Sequence, residues 1–231
     1  MLDADLDITI ARKLAAVDRR REAAAHRAGR SPADIHLIAV SKTFSADAVR
    51  AAARAGQRAF GENRVQEALD KVDATRDLGL EWHLIGHLQT NKAKIAAASF
   101  AIIQSLDSTR LADALARAQK NPPVRALIEV NLGDEASKSG VAPDDVAAIL
   151  DAARGKVEID GLMTIPPPAA TPELARPYFV RLRELRDSLA MRSGLALREL
   201  SMGMTDDFEI AIEEGATIVR VGRAVFGERI P

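Results

Sequence analysis

Residues 200–227 read LSMGMTDDFEIAIEEGATIVRVGRAVFG and contain two small-residue turns. The first turn spans residues 201–205, and the second is Gly222-Arg223. Each turn follows an apolar run typical of a buried strand and leads into a segment of helical character. The stretch therefore predicts two consecutive strand–helix units, with Arg220 inside the second strand.

The same alternation extends over most of the 231-residue chain. Strands are predicted over residues 36–42, 58–63, 82–86, 100–106, 124–132, 158–165, 197–202 and 217–222. Helices are predicted over residues 45–55, 65–74, 90–98, 108–120, 143–153, 172–192 and 206–214, with a short helix after the last strand. The strands are continuous apolar runs, as expected for strands covered on both faces. Eight such units favour the α/β class and a (β/α)₈ TIM barrel over an open sheet.

A leading helix is predicted before the barrel, over about residues 5–28, where apolar residues recur at helical spacing. We therefore expect one domain over residues 1–231, with the barrel at about 36–228. The other faces of the leading helix carry several arginines, which could contact RNA or a membrane surface. A run of charge on a helix is more often a solvated face.

Bulk composition narrows the class of protein. The net charge of −1 gives no global reason to expect nucleic acid or an anionic membrane as partner. The absence of cysteine excludes disulfides, thiolate metal sites and a cysteine nucleophile. Apolar runs stay well short of the roughly 18 residues of a membrane span. The acidic N-terminus is unlike a signal peptide, so we expect a soluble cytoplasmic protein.

The two glycine turns follow strands seven and eight, where barrels often bind phosphate. Gly203 and Gly222 allow backbone amides to approach an anion closely, and Ser201 and Thr205 add hydroxyl groups. We name these two turns the phosphate cup. Each turn alone is better explained as an ordinary strand-to-helix connection, with Thr205 as an N-cap. The two turns together, at this position, favour a phosphate site.

Lys42 ends the first predicted strand. At the carboxyl end of a barrel strand a lysine points into the barrel mouth, where burial favours the neutral, nucleophilic amine. Beside a phosphate cup, such an amine suggests a Schiff base with a phosphorylated aldehyde, of which pyridoxal 5′-phosphate is the usual one. Position alone leaves open a rim lysine in solvent.

Arg220 lies two residues before the second turn of the cup. Inside a barrel mouth its guanidinium could donate to a pyridine nitrogen, which would then stay unprotonated because arginine keeps its proton. An ion pair with a neighbouring carboxylate is an equal alternative on sequence alone.

Other site chemistries are disfavoured by missing motifs. His83 and His87 flank the third strand, but they lack an HExxH motif and an acidic third ligand, so we expect no metal. A serine hydrolase would need a GxSxG elbow, and a dinucleotide site would need GxGxxG after a strand; neither occurs.

Seven sequence blocks follow one another through nearly the whole chain. They are AVSKTFSADAV around Lys42, FGENRVQE from Phe60, WHLIGHLQTNK from Trp82, EVNLGDEASKSG from Glu129, GLMTI from Gly161, LSMGMTDDFEIAIEEGAT from Leu200 and VRVGRAVFG from Val219. In this order they resemble the YggS/PROSC family of pyridoxal phosphate homeostasis proteins. The resemblance implies the fold-type III barrel, which is similar to the N-terminal domain of alanine racemase.

The resemblance also implies roles for individual residues. Lys42 would form the internal aldimine, and Arg220 would face the pyridine nitrogen. The phosphate would be held by Ser201, Gly203, Gly222 and Arg223, with Met202 in the same turn counted as part of the site. The ring would be surrounded by Asn63, His83 and Met163.

Two positions depart from the family pattern. Members often carry serine at the position of Thr205, and the retained hydroxyl predicts little change. Members often carry a small residue at the position of Arg223, whose side chain either adds charge to the cup or points away from it.

The sequence favours a carrier of the cofactor over an enzyme. Racemases of this fold take a second acid/base from a C-terminal domain and a partner subunit. Here the chain ends soon after strand eight, and its only tyrosine, Tyr178, is expected outside the barrel. An unprotonated ring is also a weak electron sink. We therefore expect reversible binding for pyridoxal phosphate homeostasis, in a monomer that could supply apo-enzymes. A narrow amino-acid racemase is the main alternative, and a lysine-dependent aldolase type is a weaker one.

Overall fold

Eight parallel strands form a closed barrel in which each strand pairs with the next and the last pairs with the first. The structure is a computed structural model and describes residues 2–118, 122–133 and 139–228. The strands are β1 (His36–Val40), β2 (Ala59–Glu62), β3 (Glu81–Leu84), β4 (Ile102–Leu106), β5 (Val124–Glu129), β6 (Val157–Met163), β7 (Glu199–Ser201) and β8 (Ile218–Val221). The predicted (β/α)₈ barrel is confirmed.

Helices cover the outside of the barrel. Within the described residues the α-helices are α1 (Leu2–Arg27), α2 (Ala46–Arg54), α3 (Val65–Ala74), α4 (Ala93–Ser99), α5 (Thr109–Ala116), α6 (Val146–Ala153), α7 (Arg176–Ser193), α8 (Phe208–Glu213) and α9 (Arg223–Phe226). Three helices that were predicted as continuous begin with a 3₁₀ turn, at Thr90–Lys92, Pro143–Asp145 and Pro172–Ala175. In two of these turns a proline occupies the first position, where its missing N–H costs no hydrogen bond.

Several predicted strands extend beyond the observed ones at their carboxyl ends. The strand predicted over residues 36–42 ends at Val40, and the one predicted over residues 124–132 ends at Glu129. Thr43 has a left-handed φ of +70°, outside the extended region of a regular strand. Lys42 therefore lies in the loop after β1.

Two of the sequence predictions include residues outside the described part of the chain. The helix predicted over residues 108–120 is observed as α5, and its predicted residues 119 and 120 are not described. Residues 134–138 of the block EVNLGDEASKSG likewise lie outside the described residues.

The hydrophobic core has two parts. The larger part fills the space between the sheet and the outer helices. The smaller part fills the interior of the barrel with Ile38, Ile102, Leu127, Met163 and Ile218. This apolar interior is a packed core, as in other barrels of this type, so ligands must bind above it at the strand ends.

The leading helix α1 packs on the barrel through a buried stripe of Ile10, Leu14 and Val17. Arginines on its other faces are largely engaged within the molecule: Arg20 forms an ion pair with Glu209 at 2.7 Å, and Arg21 donates to backbone carbonyls. Part of the basic surface of α1 therefore serves contacts within the molecule. No helix in the described part of the chain has the length and apolar character needed to cross a membrane.

Gly161 permits the close pairing of β6 with β7. A Cβ atom at this position would lie 1.9 Å from the carbonyl oxygen of Glu199 and 2.6 Å from its carbonyl carbon. Both atoms belong to the neighbouring backbone, so the clash can be relieved only by separating the strands.

We expect Gly161→Ala to destabilise the barrel by more than about 4 kcal/mol, a range reached only by severe core defects. Gly155→Ala is the control, because Gly155 has a φ of +71° but open space around it. Its cost should stay near the roughly 1–2 kcal/mol of a left-handed residue. Urea unfolding of both variants measures the difference, and equal effects would contradict the steric argument.

Candidate functional site

A cavity of about 170 Å³ opens at the carboxyl ends of the strands. Its lining comes from the ends of β1 and β8 and from the loops after β1, β2, β3, β6, β7 and β8. The lining residues are Val40, Lys42, Asn63, Ile85, Ile165, Met204, Thr205, Asp206, Arg220, Gly222 and Arg223. The predicted residues Lys42, Asn63, Arg220, Gly222 and Arg223 thus share one site.

Both turns of the phosphate cup contribute to this cavity. Gly203 has a φ of +91°, and a Cβ there would lie 2.8 Å from Cα of Phe208, so glycine allows α8 to pack against the turn. Gly222 lies against β1, where a Cβ would be 3.2 Å from the carbonyl oxygen of Val40. The amides of Arg223 and Ala224 open α9 and have no acceptor within that helix.

Thr205 lines the cavity and does not act as the N-cap of α8. The N-cap residue is Asp207, whose Oδ1 accepts from the amide of Met204 at 2.6 Å. The ordinary capping explanation for Thr205 is therefore wrong. Thr205 belongs to the lining of the cavity, together with Gly222 of the other turn.

The side chain of Arg223 lies at the rim of the cavity. It is exposed, forms a hydrogen-bonded ion pair with Asp206, and approaches Glu228 at 3.7 Å. Two carboxylates thus hold its guanidinium. Its ion-pair partner Asp206 also lines the cavity.

A buried charge network fixes the backbone on both sides of Lys42. Lys71 of α3 donates to Glu62 Oε1 at 2.7 Å and to the carbonyl oxygen of Ser41 at 2.7 Å. The hydroxyl of Ser41 donates to the same Glu62 oxygen at 2.6 Å. On the other side, the amide of Thr43 donates to Glu67 Oε1 at 2.6 Å. Lys42 therefore projects from a loop that is tied down at both neighbours.

Glu62 is the most deeply buried member of this network. Burial raises the pKa of its carboxyl above the usual range, although hydrogen bonds from Lys71 and Ser41 act in the opposite direction. Its second oxygen, Oε2, has no hydrogen-bond partner among the described residues. The carboxylate thus depends strongly on Lys71.

Arg220 is buried and lines the bottom of the cavity. Its Nη1 donates to Ser201 Oγ at 2.6 Å, and its Nη2 donates to the carbonyl oxygen of Thr164 at 2.8 Å. Burial lowers the pKa of the guanidinium to about 10, against the opposing influence of Glu129 and Asp207. Arg220 therefore remains a cation at neutral pH and keeps further N–H groups for a ligand.

Five predicted site residues do not line the cavity. Ser201 is fully buried, and its hydroxyl donates to Gln104 Oε1 at 2.6 Å while it accepts from Arg220. His83 is buried between Glu81 and Gln104. Met163 belongs to the apolar interior of the barrel, and Met202 belongs to the outer core. Gly203, also outside the lining, shapes the turn.

Besides Glu62 Oε2, two buried side-chain oxygens near the strand ends lack a hydrogen-bond partner within the described residues: Asn63 Oδ1 and Glu129 Oε2. Asn63 lines the cavity, and its amide oxygen is buried within the protein. Burial raises the pKa of Glu129 to about 7, although the charge of Arg220 lowers it. The sequence marked Asn63 but gave no signal for Glu129, Lys71 or Gln104, which are ordinary polar residues within apolar strands or a helix.

The described residues contain no group of three histidine, aspartate or glutamate side chains that could hold a metal ion. His87 pairs with Asp107 at 3.0 Å, apart from His83 and its partners. The two histidines therefore form separate contacts.

The fold and site define a class of protein: a closed (β/α)₈ barrel whose cavity combines a lysine, a buried arginine and residues of two glycine-containing turns. Residues 13–230 match the family described as alanine racemase, N-terminal domain. The chain belongs to this family and, within it, to the pyridoxal phosphate homeostasis proteins.

Three similar proteins support this placement. The pyridoxal phosphate homeostasis protein of Aquifex aeolicus is 48% identical over 221 residues, covering 94% of this chain and 97% of that protein. Its counterpart in Pseudomonas aeruginosa is 47% identical over 225 residues, covering 96% of each. The structure of PipY from Synechococcus elongatus, with PLP bound, is 40% identical with a TM-score of 0.83, covering 94% of this chain and 100% of PipY. The resemblance found from the sequence blocks is confirmed.

We expect Lys71→Met to lower the free energy of unfolding by about 3–5 kcal/mol, because the Glu62 carboxylate stays buried without its cation. Adding Glu62→Gln should restore part of the loss. Arg76→Met is the control, since Arg76 pairs with Asp73 on the same side of the fold but both side chains are exposed. Urea unfolding of the ligand-free protein measures all three, and an equal effect of the control would refute a special role for the buried pair.

The raised pKa of Glu129 predicts that the stability of the protein depends on pH. Its folded pKa of about 7 lies above the reference value of 4.5, so the folded state binds the extra proton. This contribution is present below about pH 4.5 and is lost as pH rises to 7, for a total of roughly 3 kcal/mol. Glu129→Gln should remove it, so the stability of the variant relative to wild type should increase between pH 5 and 7. The exposed Glu22→Gln should show no such trend.

Proposed function

We propose that the protein binds pyridoxal 5′-phosphate reversibly through Lys42 and serves intracellular homeostasis of this cofactor as a carrier or buffer. The observation that carries the proposal is that Lys42, Arg220 and the phosphate cup line one cavity. The relatives named above add support, since two are pyridoxal phosphate homeostasis proteins and PipY was solved with PLP bound.

The donor set of the cavity suits this cofactor. Thr205 and the amides of Gly222 and Arg223 would hold a phosphate group, because hydroxyls and backbone N–H groups are suitable donors for an anion. Asn63, which lines the cavity, would lie beside the ring. The volume of about 170 Å³ is below the roughly 300–1,000 Å³ of drug-sized pockets and suits a single ring.

When bound, pyridoxal phosphate supplies an electrophilic aldehyde next to an electron-withdrawing ring. Lys42 would provide the amine that condenses with this aldehyde, with loss of water. The tied backbone of Ser41 and Thr43 sets the direction from which the amine approaches. Arg220 keeps its proton and would donate to the ring nitrogen, which would then stay unprotonated.

A carrier explains the cavity better than a racemase does. Among the described lining residues, the titratable groups are Lys42, Asp206, Arg220 and Arg223. Asp206 is engaged by Arg223, and Arg220 is a permanent donor. Tyr178 packs against the outer core on α7. The lining thus offers Lys42 as the group suited to accept a proton, whereas racemisation needs two such groups on opposite faces.

The racemase alternative rests on the match to the alanine racemase family. It requires solvent deuterium to enter the α-position of an amino acid faster than with the free cofactor. The carrier proposal expects exchange no faster than with free cofactor across a broad amino-acid panel. We further propose that the protein works in the cytoplasm as a monomer of one domain. In this role it can pass its cofactor to apo-enzymes.

We expect Lys42→Ala to abolish the absorbance band of protein-bound cofactor and the fixation of cofactor by borohydride. Lys94→Ala is the matched control, because Lys94 is exposed on α4. Mass spectrometry of the reduced wild-type protein should find the pyridoxyl group on the peptide that contains Lys42. An unchanged spectrum in Lys42→Ala, or a label on another lysine, would reject the assignment.

A further inference from the structure

A line of hydrogen-bonded side chains crosses the barrel interior below the cavity. It runs from Arg220 to Ser201 at 2.6 Å and from Ser201 to Gln104 at 2.6 Å. From Gln104 it continues to His83 Nδ1 at 2.9 Å, and from His83 Nε2 to Glu81 at 2.8 Å. Glu81 lies at the opposite end of the barrel, where its side chain is half exposed. The line therefore connects the ligand cavity with the amino-terminal face.

Each bond in this line has one direction. Arginine only donates, so Ser201 Oγ accepts a hydrogen bond from Arg220, and its O–H donates a hydrogen bond to Gln104 Oε1. The Gln104 amide is then oriented with Nε2 as donor to His83 Nδ1. His83 in turn carries its proton on Nε2 and donates it to the Glu81 carboxylate. One arrangement of donors satisfies the whole line.

The line occupies a place that barrels normally fill with branched apolar residues. Ser201 and Gln104 are fully buried, His83 and Arg220 almost so, and the apolar interior residues pack around them. A buried polar group is costly unless it is fully hydrogen-bonded, so apolar residues at these positions would be the simpler way to stabilise the fold. The line is therefore better explained by what it does to Arg220.

Arg220 is the group on which the line acts. Among the described residues, its guanidinium has no hydrogen-bonded carboxylate; Ser201 Oγ and the carbonyl oxygen of Thr164 hold its two terminal nitrogens. Two neutral acceptors fix the plane of the guanidinium and leave its charge uncompensated by a direct ion pair. A fixed, uncompensated donor suits a weak acceptor such as a pyridine nitrogen.

We propose that Gln104 and Ser201 are positioning residues, which hold the Arg220 guanidinium in the orientation that recognises the ring nitrogen of the cofactor. The inference rests on the proposed function. His83 and Glu81 support it from below by fixing the orientation of the Gln104 amide. Ser201 thus acts one step away from the ligand, through Arg220.

The test compares two ligands that differ at one atom. Pyridoxal 5′-phosphate has the ring nitrogen, whereas 1-deazapyridoxal 5′-phosphate has a C–H group there and cannot accept from Arg220. Gln104→Leu keeps the approximate shape of the side chain and removes both polar atoms. We expect it to weaken binding of pyridoxal 5′-phosphate about tenfold and to leave the affinity for the deaza analogue within about twofold.

Two further variants separate positioning from packing. Ile102→Val, in the same interior, should not change the preference between the two ligands. In an Arg220→Gln background, adding Gln104→Leu should cause no further loss of preference, because the two residues act as a unit. An equal loss of affinity for both ligands in Gln104→Leu would overturn the inference. If that variant fails to fold, Ser201→Ala tests the same line and should give the same selective loss.

A second readout uses the cofactor-free protein. Nuclear magnetic resonance should show at least tenfold faster hydrogen exchange of the Arg220 side-chain N–H groups in Gln104→Leu than in wild type, with the signals identified by their loss in Arg220→Gln. Unchanged exchange would contradict the positioning role. If wild type binds neither ligand, the proposed function fails, while the exchange experiment still decides whether Gln104 orders Arg220.

Discussion

The pairing of β1 with β8 is the interaction on which the site depends. Its register joins His36 to Ile218 at one end and Ala39 to Val221 at the other. Because both strands run in the same direction, their carboxyl ends meet, and the loop with Lys42 lies beside the turn with Gly222. Some 180 residues separate the two in sequence. An open sheet with the same strands would leave them at opposite edges, with the lysine far from the phosphate cup.

The barrel combines an apolar interior with a short line of buried polar side chains, and the two have different consequences. Ile38, Leu127 and Ile218 supply the non-directional stabilisation that any barrel needs. The line from Arg220 to Glu81 fixes the orientation of each side chain in it, because each hydrogen bond sets the donor and acceptor of the next. A second buried polar network lies outside the barrel wall, where Lys71, Glu62 and Ser41 hold the loop of Lys42. The Lys42 loop and the Arg220 side chain are thus both fixed by charge or hydrogen bonding that is itself shielded from water.

The sequence was sufficient for the fold and for part of the site. Eight apolar runs, each followed by a helical segment, predicted the barrel, and strand order then brought Lys42, Asn63, Arg220 and Gly222 together. The sequence could not show which residue of each strand is the last one buried below the cavity. The predicted residues His83, Met163 and Ser201 lie one layer below the cavity. The cavity is lined instead by residues further along the same segments: Ile85 after His83, Ile165 after Met163 and Thr205 after Ser201. Continuous apolar strands carry no alternation that would mark the last buried layer. Partners such as Gln104 and Lys71 depend on contacts across the barrel or between elements, which no local pattern encodes.

The ion pair between Arg223 and Asp206 has a consequence for how a ligand arrives. The one exposed cation of the cavity rim, within the described lining, is neutralised by its neighbour, and the chain as a whole is close to electroneutral. Long-range steering of an anion toward the entrance is therefore weak, and attraction begins only inside the cavity, where the amides of the cup and the buried Arg220 come within reach. Association rates should then vary little with ionic strength, so capture would proceed in much the same way in cells of different salt content.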